Sequence, residues 1–125
     1  MNAEEKTVLL VDDEPANIQI VNSILKGICK TRIATSGEKA LELANQVPAP
    51  DLILLDVMMP AMDGYEAMKK IRSNPRFNNL PIIALTAKAM QGDKEKSIVA
   101  GASDYITKPV DSNKLFSLMR VWLSV

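Results

Sequence analysis

The 125-residue sequence contains no histidine. This absence excludes Ser–His–Asp and Cys–His nucleophile systems, and it excludes metal sites built on histidine. Cysteine occurs once, at Cys29, so the chain cannot form an internal disulfide and fits a reducing compartment. Any chemistry must therefore use carboxylates, hydroxyls or lysine, with or without a hard metal cation.

Long apolar segments and a net charge are also missing. No run of about 18 apolar residues and no basic leader occurs, so we expect a soluble, cytoplasmic protein without membrane contact. Lysine plus arginine and aspartate plus glutamate both number 15, which leaves no overall field to attract nucleic acid. The length predicts a single domain, residues 1–125, with a core at about residues 7–123.

Five short segments predict the strands of a parallel sheet. Most of them are apolar runs typical of strands buried on both faces, whereas Thr31–Ala34 is mixed in polarity and is expected near an edge. The five segments are Thr7–Val11, Thr31–Ala34, Leu52–Leu55, Pro81–Leu85 and Ser103–Thr107. Segments with helical spacing of apolar residues alternate with them. This alternation predicts an α/β fold, a five-stranded, doubly wound parallel sheet with helices on both faces.

Several details of the helices follow from caps and apolar spacing. Ser36 is the predicted N-cap of the second helix, and Val47 is expected on the inner face of that helix. Trp122 is expected on the inner face of the last helix. The polar segment Gln91–Ala100 is predicted to be the least firmly anchored helix, and residues 1–6 are expected to be loose.

Polar side chains follow four of the predicted strands, namely Asp12 with Asp13, then Asp56, Thr86 and Lys108. Because parallel strands end at the same edge of a sheet, we expect these side chains to converge. Three carboxylates so close together raise one another's pKa unless cations compensate them. Mg²⁺ together with Lys108 would balance the charge, and Mg²⁺ prefers oxygen ligands of this kind.

Such a group suits the transfer of a phosphoryl group. Asp56 would be the nucleophile, as carboxylates are in enzymes that form aspartyl phosphates, and Lys108 and Thr86 would contact the phosphoryl oxygens. No glycine-rich phosphate loop is present, so nucleotide binding is not predicted. A phosphohistidine donor would have to belong to another protein. Taken alone, Asp56 could equally be a helix cap or a turn residue.

Five short motifs together resemble the receiver domain of two-component response regulators over about residues 8–121. They are Val11-Asp12-Asp13-Glu14, Leu54 to Pro60, Asp63-Gly64, Leu85-Thr86-Ala87 and Lys108-Pro109. The resemblance implies a flavodoxin-like fold with the strand order 2-1-3-4-5. It also implies a signalling phosphoacceptor that catalyses only its own phosphorylation and slow dephosphorylation, and not an enzyme acting on other substrates.

The resemblance assigns the metal site and the phosphoacceptor. It implies that Asp56 accepts the phosphoryl group. It further implies that Asp13, Asp56 and the backbone carbonyl of Met58 bind Mg²⁺ directly, with Asp12 contributing through water.

It also assigns the residues of a conformational switch. Thr86 and Lys108 would contact the phosphoryl oxygens, and Tyr105 would turn inward as the hydroxyl of Thr86 moves toward them. The peptide bond before Pro109 is expected to be cis. Met58 and Lys88 lie where side chains influence hydrolysis in such domains, and neither can hold an attacking water as an amide could, which predicts a long-lived phosphoryl group.

The implied partners are a histidine kinase or a histidine phosphotransfer protein. The sequence from residue 87 to residue 111 is similar to receivers of hybrid kinases, so the domain could belong to a membrane-tethered kinase. No direct contact with nucleic acid is expected, and a weak homodimer is compatible with the resemblance.

Two other interpretations remain open at this point. A flavodoxin-like cofactor binder or small α/β enzyme would share the fold, although phosphate-bearing cofactors favour glycine and backbone N–H groups over acids. A receiver-like interaction module that is never phosphorylated would share the sequence motifs, although the intact set of polar residues argues against it.

Overall fold

A computed structural model describes residues 3–59, 63–86 and 98–124 of the chain. Five strands are found there: β1 (Thr7–Val11), β2 (Lys30–Ala34), β3 (Leu52–Asp56), β4 (Ile82–Thr86) and β5 (Asp104–Thr107). The helices given bounds are α1 (Pro15–Leu25), α2 (Gly37–Ala44), α3 (Gly64–Arg72) and α4 (Ser112–Leu123), with a short 3-10 helix at Pro75–Phe77. Residues 98–100 are also helical.

The strands form one parallel sheet in the order β2-β1-β3-β4-β5. This confirms the predicted doubly wound α/β fold and its strand order. Successive side chains of a strand point to opposite faces, and helices cover both faces here, so the central strands are apolar at nearly every position. All residues of β1, β3 and β4 are buried.

Two hydrophobic cores result, one on each face of the sheet. Leu9 and Ile53 belong to the core that contains Ala40 of α2 and Met68 of α3. The opposite core contains Val8, Leu10, Leu52 and Leu54 with residues of α1 and α4, namely Val21, Leu25, Leu115 and Met119. The alternation along β1 and β3 thus places α2 and α3 on one side and α1 and α4 on the other.

The helix caps agree in part with the sequence. The backbone N–H of Lys39 donates to the Ser36 hydroxyl, which confirms Ser36 as the N-cap of α2. Val47 was wrongly expected on the inner face of that helix. The helix ends at Ala44, three residues earlier, and Val47 is 87% exposed.

Trp122 was also wrongly placed on an inner face. It is 36% exposed, and its indole N–H donates to Asp104 Oδ2 at 3.3 Å, while Leu123 is buried in its place. The indole ring carries one donor, which finds its partner on β5 at the edge of the sheet.

The expectation of a loose amino terminus is wrong for residues 3–6. Ala3 is buried, its N–H donates to the carbonyl of Ile28, and its own carbonyl accepts from Lys6. The predicted helix Gln91–Ala100 lies outside the described residues except for residues 98–100. No described helix is long and apolar enough to cross a membrane.

Candidate metal and phosphoryl site

The register of the sheet brings the polar strand ends together. Val11 of β1 pairs with Leu55 of β3, so the next residues, Asp12 and Asp56, are also neighbours. On the other side of β3, Asp56 pairs with Leu85, which precedes Thr86. The convergence predicted from the sequence therefore follows from the order and register of β1, β3 and β4.

Asp12 and Asp56 are buried carboxylates held by backbone N–H groups. Their residues are 0% and 2% exposed. The N–H of Glu14 donates to Asp12 Oδ1, and the N–H of Met58 donates to Asp56 Oδ1, both at 3.0 Å. One oxygen of each carboxylate is thereby fixed, and the other oxygen is left for a cation.

Lys108 supplies a cation to both carboxylates. Its Nζ lies 3.1 Å from Asp56 Oδ2 and 3.4 Å from Asp12 Oδ2. The N–H of Lys108 also donates to the carbonyl of Thr86 at 2.7 Å, which fixes the start of this side chain beside β4. The peptide bond between Lys108 and Pro109 is cis, as the resemblance implied.

Asp13 completes a group of three carboxylates. One oxygen from each of Asp12, Asp13 and Asp56 lies within 4.8 Å of the others, and Asp13 is the exposed member. Asp12 Oδ2 is buried and lacks a hydrogen-bond donor in the described part of the chain, although the Lys108 ammonium faces it at ion-pair distance. A cluster of hard oxygen donors with an incompletely satisfied buried oxygen fits a Mg²⁺ ion. The carbonyl of Met58 remains a predicted ligand.

Burial raises the pKa of Asp56 from its ordinary value of 3.8 to about 6. Loss of hydration is the main cause, and the nearby charge of Asp12 adds to it. The hydrogen bond from Met58 and the Lys108 ammonium act in the opposite direction, but they do not offset the effect of burial. Asp56 therefore remains largely ionised at pH 7.5, at a cost in free energy that a bound cation would reduce.

Thr86 and Tyr105 lie on the same face of the sheet. Ala84 pairs with Tyr105, and Thr86 follows Ala84 by two residues, so its side chain points to the same side. Tyr105 is half-buried and packs against the core that contains Ala84. The Thr86 hydroxyl is buried and has no hydrogen-bond partner among the described residues. Thr86 thus lies on the same face of the sheet as Tyr105, at the edge where the carboxylates converge.

Gly64 is a requirement of the site that the sequence did not reveal. The Asp63-Gly64 pair was assigned no role beyond its place among the five motifs of the resemblance. In the structure, Asp63 caps α3 by accepting from the N–H of Glu66. A Cβ atom at Gly64 would overlap the carbonyl oxygen of Asp56 and lie 2.5 Å from the Cα of Val57. Glycine lets α3 begin directly against the backbone of the Asp56 segment. A close approach between the start of a helix and the strand end eight residues before it leaves no signal in apolar spacing or in capping residues.

Comparison with known proteins agrees with this geometry. Residues 8–120 match the family model described as the response regulator receiver domain. The chain belongs to this family. Receiver domains are signal-transduction modules of two-component systems, and the motif residues quoted above lie within the matched range.

Individual relatives support the assignment. The signal transduction histidine-protein kinase BarA of Escherichia coli is 43% identical over 114 residues, which is 90% of this chain and 12% of that protein. A response regulator structure from Chloroflexus aurantiacus matches with a TM-score of 0.91 and 33% identity, covering 98% of this chain and all of the other.

A third relative is the receiver domain of the sensor histidine kinase PA1611 from Pseudomonas aeruginosa. It matches with a TM-score of 0.86 and 34% identity over 96% of this chain and 98% of that one. The structure of that domain has a magnesium ion coordinated in its active-site cleft.

Proposed function

We propose that this receiver domain accepts a phosphoryl group on Asp56 from a phosphohistidine of a partner protein. The observation that carries the proposal is the placement of the Lys108 ammonium between two buried carboxylates, within a group of three that can hold a cation. An aspartate oxygen would attack phosphorus, the P–N bond to the donor imidazole would break, and the imidazole nitrogen would keep the electron pair.

The side chains around Asp56 have separate tasks in this reaction. The N–H of Met58 holds Oδ1 of Asp56 and leaves Oδ2, 3.1 Å from the Lys108 ammonium, as the attacking atom. Lys108 would then move from the carboxylates to the phosphoryl oxygens, and the Thr86 hydroxyl, which has no hydrogen-bond partner among the described residues, would donate to one of them. A Mg²⁺ ion held by Asp12, Asp13 and Asp56 would supply positive charge to the phosphoryl oxygens.

Phosphorylation would change the conformation through Thr86 and Tyr105. Movement of the Thr86 hydroxyl toward the phosphoryl group vacates space on the face where Tyr105 packs, and Tyr105 turns inward. The equilibrium between two packings is thereby shifted by a local change of charge. A cavity of about 550 Å³ lies between β5 and α4, lined by residues such as Tyr105, Asn113 and Ser117. A partner protein would recognise the phosphorylated conformation through this surface.

The class of protein that donates the phosphoryl group is inferred from the relatives of this chain. BarA and PA1611 are histidine kinases, and the matched segment is a small part of BarA. We infer that this domain receives its phosphoryl group from a histidine kinase or a histidine phosphotransfer protein, on the cytoplasmic side of a membrane if it belongs to a hybrid kinase.

The test is labelling with a small phosphodonor. The chain is incubated with acetyl phosphate and Mg²⁺, its intact mass is measured, and the modified residue is mapped. One phosphoryl group on Asp56 is expected, stable in mild acid and labile in base. Asp56→Asn should remain unlabelled, whereas the control Asp63→Asn, which keeps an N-cap for α3, should be labelled normally. Normal labelling of Asp56→Asn would refute the assignment, and failure of the wild type to be labelled while it binds Mg²⁺ would favour an interaction module without phosphate.

A further inference from the structure

The side chain of Arg72 joins several segments of the chain by hydrogen bonds, at a place away from the carboxylates. Its guanidinium lies at the end of α3 and donates from Nε to the carbonyl of Gly101 at 2.9 Å and from Nη1 to the carbonyl of Phe77 at 2.6 Å. Nη2 donates to the hydroxyl of Ser103 at 3.3 Å. One side chain thereby joins α3 to the 3-10 helix and to the segment that leads into β5. We call this group of contacts the Arg72 anchor.

The anchor continues to the amino end of β4. The N–H of Ser103 donates to the carbonyl of Ile82 at 2.7 Å, and the N–H of Ile82 donates to the Ser103 hydroxyl at 3.1 Å. The same hydroxyl accepts from Arg72. The amino ends of β4 and β5 are therefore tied to each other and to α3.

Gly101 leaves room for the Arg72 side chain at this point. Its φ of +122° is unfavourable for residues with a side chain. A Cβ atom there would also lie 2.7 Å from Arg72 Cγ. Both the backbone conformation and the space beside the Arg72 side chain therefore favour glycine at this position.

The opposite ends of the same two strands carry residues of the candidate site. Thr86 ends β4, and Lys108 follows β5, with the Lys108 N–H bonded to the Thr86 carbonyl. A strand of five residues is about 17 Å long. The anchor and the site are therefore separated by the full length of β4.

We propose that Arg72 forms the fixed end of the conformational switch. The phosphoryl group displaces Thr86 and Lys108 at the carboxyl ends of β4 and β5, and the anchor holds the amino ends in place. Movement is then confined to the carboxyl edge and to the surface around Tyr105, and the two strands do not shift as one body against α3. This inference rests on the proposed function, since it needs a conformational change that starts at Asp56.

The test is amide hydrogen exchange of the full chain in Mg²⁺ alone and in Mg²⁺ with beryllofluoride, a mimic of the phosphoryl group. In the wild type we expect the exchange of the Lys108 and Val57 amides, which bond to Thr86 and Leu85, to change about tenfold or more. The amides of Ile82 and Ser103 should change less than about twofold.

Variants separate a switch role from simple stabilisation. Arg72→Lys keeps the charge but loses the planar fork that reaches three acceptors. In this variant, and in Arg72→Met, beryllofluoride should change the exchange of Ile82 and Ser103 by about as much as that of Lys108. The control Arg76→Met removes a neighbouring guanidinium that lies over the Phe77 ring at 5.4 Å, and it should behave as the wild type does.

The possible outcomes separate the anchor proposal from simple stabilisation by Arg72 and from a failure of the proposed function. A wild-type response of equal size at Ser103 and Lys108 overturns the anchor proposal, whether or not the variants fold. So does an Arg72→Lys variant that exchanges faster in both states alike, since that result shows stabilisation alone. If beryllofluoride changes none of these amides, the proposed function fails at Asp56, and the anchor proposal fails with it.

Discussion

Replacing Asp56 by asparagine should stabilise the metal-free protein at neutral and alkaline pH. Burial raises the pKa of Asp56 from 3.8 to about 6, so its ionised form is less favourable in the folded state than in the unfolded chain. A rise of that size corresponds to about 3 kcal/mol. Asparagine keeps the acceptor for the Met58 N–H and has no charge to bury, and Lys108 keeps Asp12 as its partner.

The sign of the pH dependence follows from which state binds the proton more tightly. The folded state retains the Asp56 proton up to about pH 6, whereas the unfolded chain loses it near pH 3.8. The contribution of Asp56 to the free energy of unfolding of the wild type therefore falls as the pH rises from 3.8 to about 6. Above about pH 6 this contribution no longer changes with pH. The advantage of Asp56→Asn should be about 3 kcal/mol at pH 8 and about half as large at pH 5.

The assay is urea unfolding in EDTA between pH 5 and pH 8, followed by Trp122 fluorescence and circular dichroism. If the two proteins are unfolded by heat instead of urea, the same difference of about 3 kcal/mol should raise the midpoint of unfolding by about 10 °C. Glu5→Gln removes an exposed carboxylate and is the control. A difference between wild type and Asp56→Asn that does not change with pH, or an asparagine variant less stable at pH 8, would show that burial of the Asp56 charge does not lower the stability.

Three further predictions concern the same site. Lys108→Met should bind Mg²⁺ several-fold more tightly in a calorimetric titration because a competing cation is removed, yet its labelling by acetyl phosphate should be at least about tenfold slower; faster labelling would contradict the role of the ammonium. Gly64→Ala should lose about 3 kcal/mol of stability in urea through overlap with the Asp56 backbone, whereas Gly27→Ala, whose Cβ meets nothing within 4 Å, should lose about 1 kcal/mol through its positive φ; equal losses would be evidence against the close approach. Met58→Asn should shorten the lifetime of the phosphoryl group, followed as loss of mass with time, because the 70% exposed Met58 cannot hold a water as an amide can; loss of the wild-type label within seconds would contradict this.

Much of the fold could be predicted from the sequence because the central strands are continuous apolar runs. Thr7–Val11 was predicted with the bounds that β1 has, and Leu52–Leu55 is β3 without its last residue. Strands buried on both faces cannot tolerate polar residues within them, so the polar residues at their ends are conspicuous. The candidate site therefore followed from the same pattern as the sheet.

Apolar spacing alone shows neither where a helix ends nor which partners a side chain finds on other elements. Trp122 has the spacing of an inner-face residue, but Asp104 offers its indole N–H an acceptor at the edge of the sheet. Val47 continues the apolar spacing of α2 after the helix has ended. Arg72 has the sequence position of a residue that complements the helix dipole, and two of its acceptors are backbone carbonyls, which leave no signal in a sequence.

Under the proposed function, Asp56 carries the phosphoryl group with the help of a cation. The most direct measurement is site mapping after incubation with acetyl phosphate, with and without Mg²⁺. We predict one phosphoryl group per chain, on Asp56, and only when Mg²⁺ is present. Modification at another residue would contradict the role of Asp56, and equal labelling of Asp56 in EDTA would contradict the role of the cation.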